Sequence, residues 1–306
     1  MRVAVTGASG FVGGHVARTL AAAGHRVSSF GRRGPERVDR SLPGYQQWDI
    51  TGGPIDAEPV DAVVHCAALV GDWGGAEPYL AANVRGTLAV LETFPVARFV
   101  HMSTSSVYSD QVLKSQVRED AATGDCTRSV YGRTKAASEQ VVREHRPDAV
   151  ILRPHVVYGP GDPTILPSIL AARRLGHFIL PGAGENHISV THVFNLVHAV
   201  QCALHAPDAR GAFNVSDGAP VQVNELLACI FARCDAPARL LHAPRAVMDG
   251  LAGLMELAWP VRTGPRGPLL TKYAVAQLAD EHTLDISRAM ADLPYCPQWT
   301  YRNGPL

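Results

Sequence analysis

Lysine is close to absent from this chain of 306 residues: Lys114, Lys135 and Lys272 are the three it has, and arginine carries the rest of the basic charge. Formal net charge is zero, with 28 basic and 28 acidic side chains. A chain without a basic excess lacks the field that draws nucleic acids or anionic membrane surfaces, so neither is expected as a partner. The six cysteines, Cys66, Cys126, Cys202, Cys229, Cys234 and Cys296, include no C-x-x-C pair, and the thirteen histidines do not cluster with them. That spacing excludes a zinc site and a disulfide framework, and no metal is expected. No apolar run reaches the length of a membrane span, so stable insertion is not expected either. The opening MRVAVTGASG reads as strand almost at once, with no charged-then-apolar leader. These absences point to a soluble protein of a reducing, cytoplasmic compartment.

What is present is an alternation of two periods. RVAVTG, HRVSSF, DAVVHCAA, RFVHMST and DAVILRP are short β-rich runs. Between them, FVGGHVARTLAAAG, YLAANVRGTLAVLETF and VYGRTKAASEQVVREH carry helical spacing. Such alternation implies right-handed β-α-β units and a doubly wound parallel sheet, covered on both faces. The pattern predicts an α/β, Rossmann-type dinucleotide-binding layer over 1–155, completed by 190–206, and a smaller α/β substrate-binding part over 156–306. Pro154, Pro160, Pro163 and Pro167 punctuate the passage between them. In AVMDGLAGLMELAW, residues Met248, Leu251, Leu254, Met255, Leu257 and Trp259 fall at helical spacing and read first as a core face.

VTGASGFVGGH sets Gly7, Gly10 and Gly13 after the first strand and at the mouth of the first helix. Gly7 permits a tight turn, Gly10 a close approach to a pyrophosphate, and Gly13 close helix–strand packing. The amides of the first helical turn, at Phe11 and Val12, complete an anion site. At the end of the second strand, HRVSSFGRRGP holds Arg32 and Arg33 and no acid. Arginine pairs with a 2′-phosphate, whereas a carboxylate would hold the ribose hydroxyls of NAD. NADP is therefore the expected cofactor, with NAD possible. Asp49, with Ile50 beside it, is a candidate acceptor for the adenine amino group.

SVYGRTKAAS places Tyr131 one helical turn before Lys135. A phenol has a pKa of about 10 and is a poor base at neutral pH, but an adjacent ammonium favours its anion. Taken with TGASGFVG, VVHCAA, NVRGT, HMSTSSVY, YGRTK and LRPHVVYGPGD in that order, the chain resembles the extended short-chain dehydrogenase/reductase superfamily. Two stretches, AALVGDWGGAEPY and LLTKYAVAQLADEHTLDISRAMADLPY, look like its 3β-hydroxysteroid dehydrogenase-like branch. The resemblance implies a homodimer and hydride transfer with Tyr131 as acid/base. It implies that Lys135 tunes Tyr131 and holds the nicotinamide ribose. Thr104, with Ser105 as the fallback, would orient the substrate oxygen, and Asn83 would support the site. It also implies that Cys66, Ala67 and Ala68 let the cofactor lie on the sheet edge, and that Pro154, His155 and Val156 border the nicotinamide.

The same resemblance separates substrates. Dehydratases of this kind carry an Asp–Glu pair where this chain has Ser105 and Ser106, so elimination is not expected. Sugar-nucleotide enzymes place an arginine where this chain has Ile188, though Arg173 or Arg174 could substitute. Losing such a charge-assisted bond forgoes roughly 1.5–3 kcal/mol. Trp73, Ser105, Ser106 and His187 are the substrate-side candidates. The expected activity is the interconversion of a secondary alcohol and a ketone on an apolar or natural-product small molecule. The alternatives are a nucleotide-sugar epimerase and a non-catalytic NADP-sensing regulator.

Overall fold

A computed structural model describes residues 1–71, 73–112, 114–124, 129–259, 267–268 and 270–306. Cys126 lies outside them. The first half alternates β1 (Arg2–Thr6), α1 (Phe11–Ala22), β2 (Arg26–Gly31), β3 (Tyr45–Gln47), β4 (Ala62–His65), α2 (Ala76–Tyr79), α3 (Gly86–Thr93), β5 (Arg98–Met102), α4 (Val130–His145) and β6 (Val150–Pro154). A seventh strand, Gly211–Val215, pairs with β6, and the sheet runs β3–β2–β1–β4–β5–β6 and then that strand, parallel throughout. The Rossmann-type expectation is met. In the sequence, GAFNV reads only as a short strand and turn. It joins the sheet because Phe213 and Val215 find full burial there.

Side chains alternate between two cores, as a parallel sheet covered on both faces requires. Val3, Val5, Val64, Val100 and Leu152 pack with residues of α1 and of α6 (Val193–His205). Ala4, Val63, Phe99 and Ile151 pack with α3 and with Val142 of α4. Each such residue with full burial adds ~1.5–3 kcal/mol of hydrophobic stabilisation. A third cluster, around Tyr158, Phe178, Leu180, Ile188 and Phe231, gathers α5 (Ile165–Ala172) and α7 (Val223–Arg233).

Two further helices, α8 (Arg245–Ala258) and α9 (Lys272–Ala279), pack on each other. Here one expectation fails. Only Met248 and Ala252 of α8 are buried, while Leu254 is 67% and Leu257 86% exposed, and Leu251 and Trp259 are exposed as well. Apolar spacing identifies a face; whether an element covers it depends on where the rest of the chain lies. α9 covers one strip of α8 and no more. Among the described residues no helix is long and apolar enough to cross a membrane.

Candidate active site

β1 and β4 are neighbours from which the chain departs in opposite directions across the sheet. Open α/β sheets hold ligands in the crevice beyond the carboxyl ends of such a pair. Gly7 lies there with φ +70°, and a Cβ on it would stand 2.6 Å from the Ala67 amide nitrogen. A Cβ on Gly13 would stand 2.4 Å from the Gly7 carbonyl oxygen. These two glycines let turn, strand end and helix close on one another. Around Gly10 a Cβ would meet only the Gly7 carbonyl oxygen, at 3.2 Å. Among the described residues no side chain caps α1, whose N-cap is Gly10, so the amides of Phe11, Val12 and Gly13 are left as donors, a cradle that fits a dinucleotide pyrophosphate. Arg32 and Arg33 are exposed just past β2. Arg33 Nη1 donates to the Ser9 carbonyl at 2.8 Å, and the Tyr45 hydroxyl donates to the Arg33 carbonyl at 2.7 Å. Arg33 is thereby tied to the glycine loop. Asp49 caps the turn Ile50–Gly52, accepting from the Thr51 amide at 3.0 Å.

Tyr131 opens α4 just inside the Ser129 cap, whose hydroxyl accepts from the Gly132 amide at 3.2 Å. Thr104 ends the run after β5 in extended backbone and caps the turn Ser105–Val107. Its hydroxyl neighbours the Tyr131 phenol and works against the rise of that phenol's pKa. From there Thr104 Oγ1 donates to Ser106 Oγ at 3.2 Å, and Ser106 Oγ lies 3.1 Å from the Tyr273 hydroxyl on α9. Three hydroxyls thus stand in one hydrogen-bonded chain beside the Tyr131 phenol. Burial pushes Tyr131 above its ordinary value, and the neighbouring Tyr273 and Tyr79 add to the rise, against the nearby Thr104 hydroxyl. The chain alone holds Tyr131 protonated.

Lys135 lies one turn further along α4, 1% exposed, and donates to His101 Nε2 at 3.2 Å. Burial pushes the ammonium down to about 8 from its ordinary 10.5, against the pull of Glu139. The unfolded chain keeps this proton to about pH 10.5 and the folded chain releases it near pH 8. The fold therefore carries the cost in full below pH 8 and sheds it as the pH climbs between the two values. Lys135→Met should accordingly raise stability at pH 7 by about 2 kcal/mol. Chemical denaturation checks this, and a destabilised variant would refute it.

His101 and His65 sit beneath this site as neutral rings 5.3 Å apart, His65 held at about 3 by burial. The Thr87 hydroxyl donates to the Asn83 carbonyl at 2.6 Å and so accepts from His65 Nε2 at 3.0 Å. That leaves His65 Nδ1 to accept from Thr6 at 2.7 Å. Asn83 is buried within a π-helical turn, Leu80–Arg85, of a kind enriched at functional sites. Its amide brackets Leu69, accepting from the backbone N–H at 2.7 Å and donating to the carbonyl at 3.1 Å. It also donates to the Thr134 hydroxyl at 3.1 Å. Asn83 thus braces the residue next to Lys135, and Lys135 itself is engaged by His101.

Residues 3–216 match the model of the NAD dependent epimerase/dehydratase family. The chain belongs to this family. It is 29% identical over 320 residues to a 2-alkyl-3-oxoalkanoate reductase of Stenotrophomonas maltophilia (strain K279a), covering 99% of this chain and 97% of the relative. It is also 29% identical over 329 residues to a 3 beta-hydroxysteroid dehydrogenase/Delta 5-->4-isomerase of Mycobacterium tuberculosis (strain CDC 1551 / Oshkosh), covering 98% and 87%. Among solved structures, UDP-glucuronic acid 4-epimerase from Bacillus cereus in complex with NAD aligns with a TM-score of 0.75 at 21% identity, over 99% of this chain and 96% of that one. At that identity the likeness concerns the fold alone.

The remaining positions of this epimerase/dehydratase-family chain divide by location. Cys66 follows the last residue of β4, its thiol pushed up to about 12 by burial, and Ala67 and Ala68 come next. Pro154 ends β6; the His155 carbonyl accepts from Thr191 Oγ1 at 2.7 Å, and the Val156 carbonyl accepts from the Thr191 amide at 3.1 Å. Those bonds hold Val156 at φ +40°, a conformation that costs a β-branched residue about 1–3 kcal/mol. Ser105 turns inward, 2.7 Å from His155 Nδ1, and both are buried. Trp73 packs at Gly267, and its carbonyl accepts from the Tyr79 hydroxyl at 2.9 Å. His187 is exposed beside Glu281, which accepts from its amide at 2.7 Å. Ile188 is buried and pairs with Val221. Arg173 donates to the Pro237 carbonyl at 2.8 Å. Tyr273 and His101 escaped the sequence reading. His101, three residues before Thr104, carried a usable signal, because inward β5 positions near a buried lysine need a polar partner.

Proposed function

We propose that this chain is an NADP-preferring oxidoreductase that interconverts a secondary alcohol and a ketone on an apolar or natural-product substrate. The carrying observation is Tyr131 near the N-terminus of α4, with the Thr104 hydroxyl beside it and buried Lys135 one turn away. When bound, the nicotinamide supplies or takes the hydride and, in its oxidised form, a positive charge. In the reductive direction the Tyr131 hydroxyl gives its proton to the carbonyl oxygen, and Thr104 holds that oxygen with a hydrogen bond. In the oxidative direction Tyr131 takes the alcohol proton. Lys135 favours the phenolate and binds the ribose hydroxyls, and the amides of Phe11, Val12 and Gly13 hold the pyrophosphate.

NADP preference is supported by Arg32 and Arg33 at the end of β2, where no carboxylate stands. The buried Ile188 supports a substrate without a diphosphate, as do relatives named for a β-keto acid and a steroid. The free state of the described cysteines suits a reducing compartment. The test is a coupled assay with NADPH and NADH in parallel, over β-keto acids, steroids and UDP-sugars. Stoichiometric NADPH consumption with a ketone is expected. Arg33→Ala should raise KM for NADPH about tenfold and leave that for NADH unchanged. Epimerised sugar without net cofactor consumption would replace this reading with the epimerase one.

A further inference from the structure

We propose that a two-stranded sheet in the second half of the chain, together with the turn that leads into it, docks on an anionic phospholipid surface. The strand His177–Pro181 runs parallel to the strand Arg239–Ala243. Phe178 and Leu180 fill the third core cluster. The residues alternating with them point the other way: His177 and Ile179, with their register partners Arg239 and Leu241. All four are exposed, Ile179 at 56% and Leu241 at 39%. Apolar and basic side chains thus share one uncovered face.

The turn extends that face under strain. Arg174 and His177 exchange backbone hydrogen bonds of 2.9 and 2.8 Å around Leu175 and Gly176. Both turn residues have positive φ, +49° and +77°. Asn or Asp suits the first of these positions; leucine there is strained. The Leu175 side chain is 97% exposed, so no packing within the chain offsets the strain. The charge around it has one sign. No acidic residue lies between Asp162 and Glu185, or between Asp235 and Asp249. These stretches hold Arg173, Arg174, Arg239 and Arg245. Arg245 is paired with Asp249 and Asp280. Among the described residues the other three meet no carboxylate, and Arg173 and Arg174 donate to backbone carbonyls. A net charge of zero over the whole chain therefore conceals a local basic face. Guanidinium forks suit lipid phosphates, and apolar side chains beside them suit the boundary of the acyl chains. Attraction to anionic lipid and burial of apolar area add in such binding. Free phosphate would leave Leu175, Ile179 and Leu241 in water, and an apolar protein surface would gain nothing from the missing acids.

Vesicle sedimentation of the full chain tests the proposal and does not depend on the reaction assigned to Tyr131. Wild type should bind vesicles containing phosphatidylglycerol at least about tenfold more tightly than pure phosphatidylcholine at low salt, and lose the difference at high salt. Arg174→Gln combined with Arg239→Gln should weaken binding to the anionic vesicles by about ten- to thirtyfold. Leu175→Asn, which suits the turn, should weaken it about three- to tenfold and melt no lower than wild type. Val96→Asn, at an exposed apolar residue before β5, should change nothing. Wild type that binds neither vesicle, or variants that bind as wild type does, would overturn the proposal. So would a lipid-free dimer that Leu175→Asn dissociates, since the face would then belong to a second copy of the chain. The arginine variant carries the decision should Leu175→Asn fold poorly.

Discussion

Tyr131→Phe is expected to lower turnover by about 10²- to 10⁴-fold, the range general acid–base groups supply. The phenyl ring keeps the shape of the tyrosine, so α4, its Ser129 cap and Lys135 stay in place. The cofactor dissociation constant should therefore be nearly unchanged. The lost atom is the phenolic oxygen that the Thr104 hydroxyl neighbours. Burial lifts Tyr131 in the chain alone, with Tyr273 and Tyr79 adding to it, so the phenol is ready as an acid throughout the neutral range. Its use as a base requires a nearby cation. Alcohol oxidation should accordingly rise with pH, and ketone reduction should not. Single-turnover kinetics with direct titration of the cofactor separates chemistry from binding. A variant that keeps wild-type turnover would end the acid/base assignment.

Glu139→Ala should cost about 3–5 kcal/mol of folding stability, because it strands a buried guanidinium. Glu139 and Arg153 have side chains 0% and 2% exposed. Arg153 grips the carboxylate in two places, Nε to Oε1 at 2.9 Å and Nη2 to Oε2 at 2.7 Å. Ser103 donates to Oε1 at 2.5 Å and Arg143 to Oε2 at 2.7 Å. Burial pushes Glu139 up, but Arg153, Ser103 and Arg143 outweigh it and hold the carboxyl below its ordinary value. The contribution is thus present above the unfolded pKa and lost as pH falls through the folded one. This pair pins α4 to β6, so activity should fall with stability. Glu139→Ala combined with Arg153→Met should be less damaging than the sum of the single changes, since it removes both charges. Urea denaturation at neutral and acidic pH measures all of this. A loss under about 1 kcal/mol for Glu139→Ala would mean that the pair is a solvated surface contact in energetic terms.

The features legible in advance were local ones. The glycine loop works through three positions within one turn, and Tyr131 and Lys135 share a face because they are four residues apart on a helix. Thr104 could be located by its place after β5. The misread elements depend on partners. The apolar face of α8 is mostly exposed because α9 covers only one strip of it. The helical pattern around Asn83 is interrupted by a π-helical turn that side-chain spacing does not register. Ser105 and Ser106 look alike in sequence, yet one bonds buried His155 and the other a tyrosine on α9.

The sequence by itself determined the parallel α/β layer, the dinucleotide loop and the Tyr–Lys spacing, because backbone periodicity and short-range sterics act within a few residues. Only the tertiary structure decided that Arg153 locks Glu139, that His101 receives the Lys135 ammonium, and that Tyr273 reaches Ser106. Those contacts join positions 14 to 167 residues apart. They form because buried charges and hydroxyls must find partners wherever packing brings them together, and chain order does not encode that meeting.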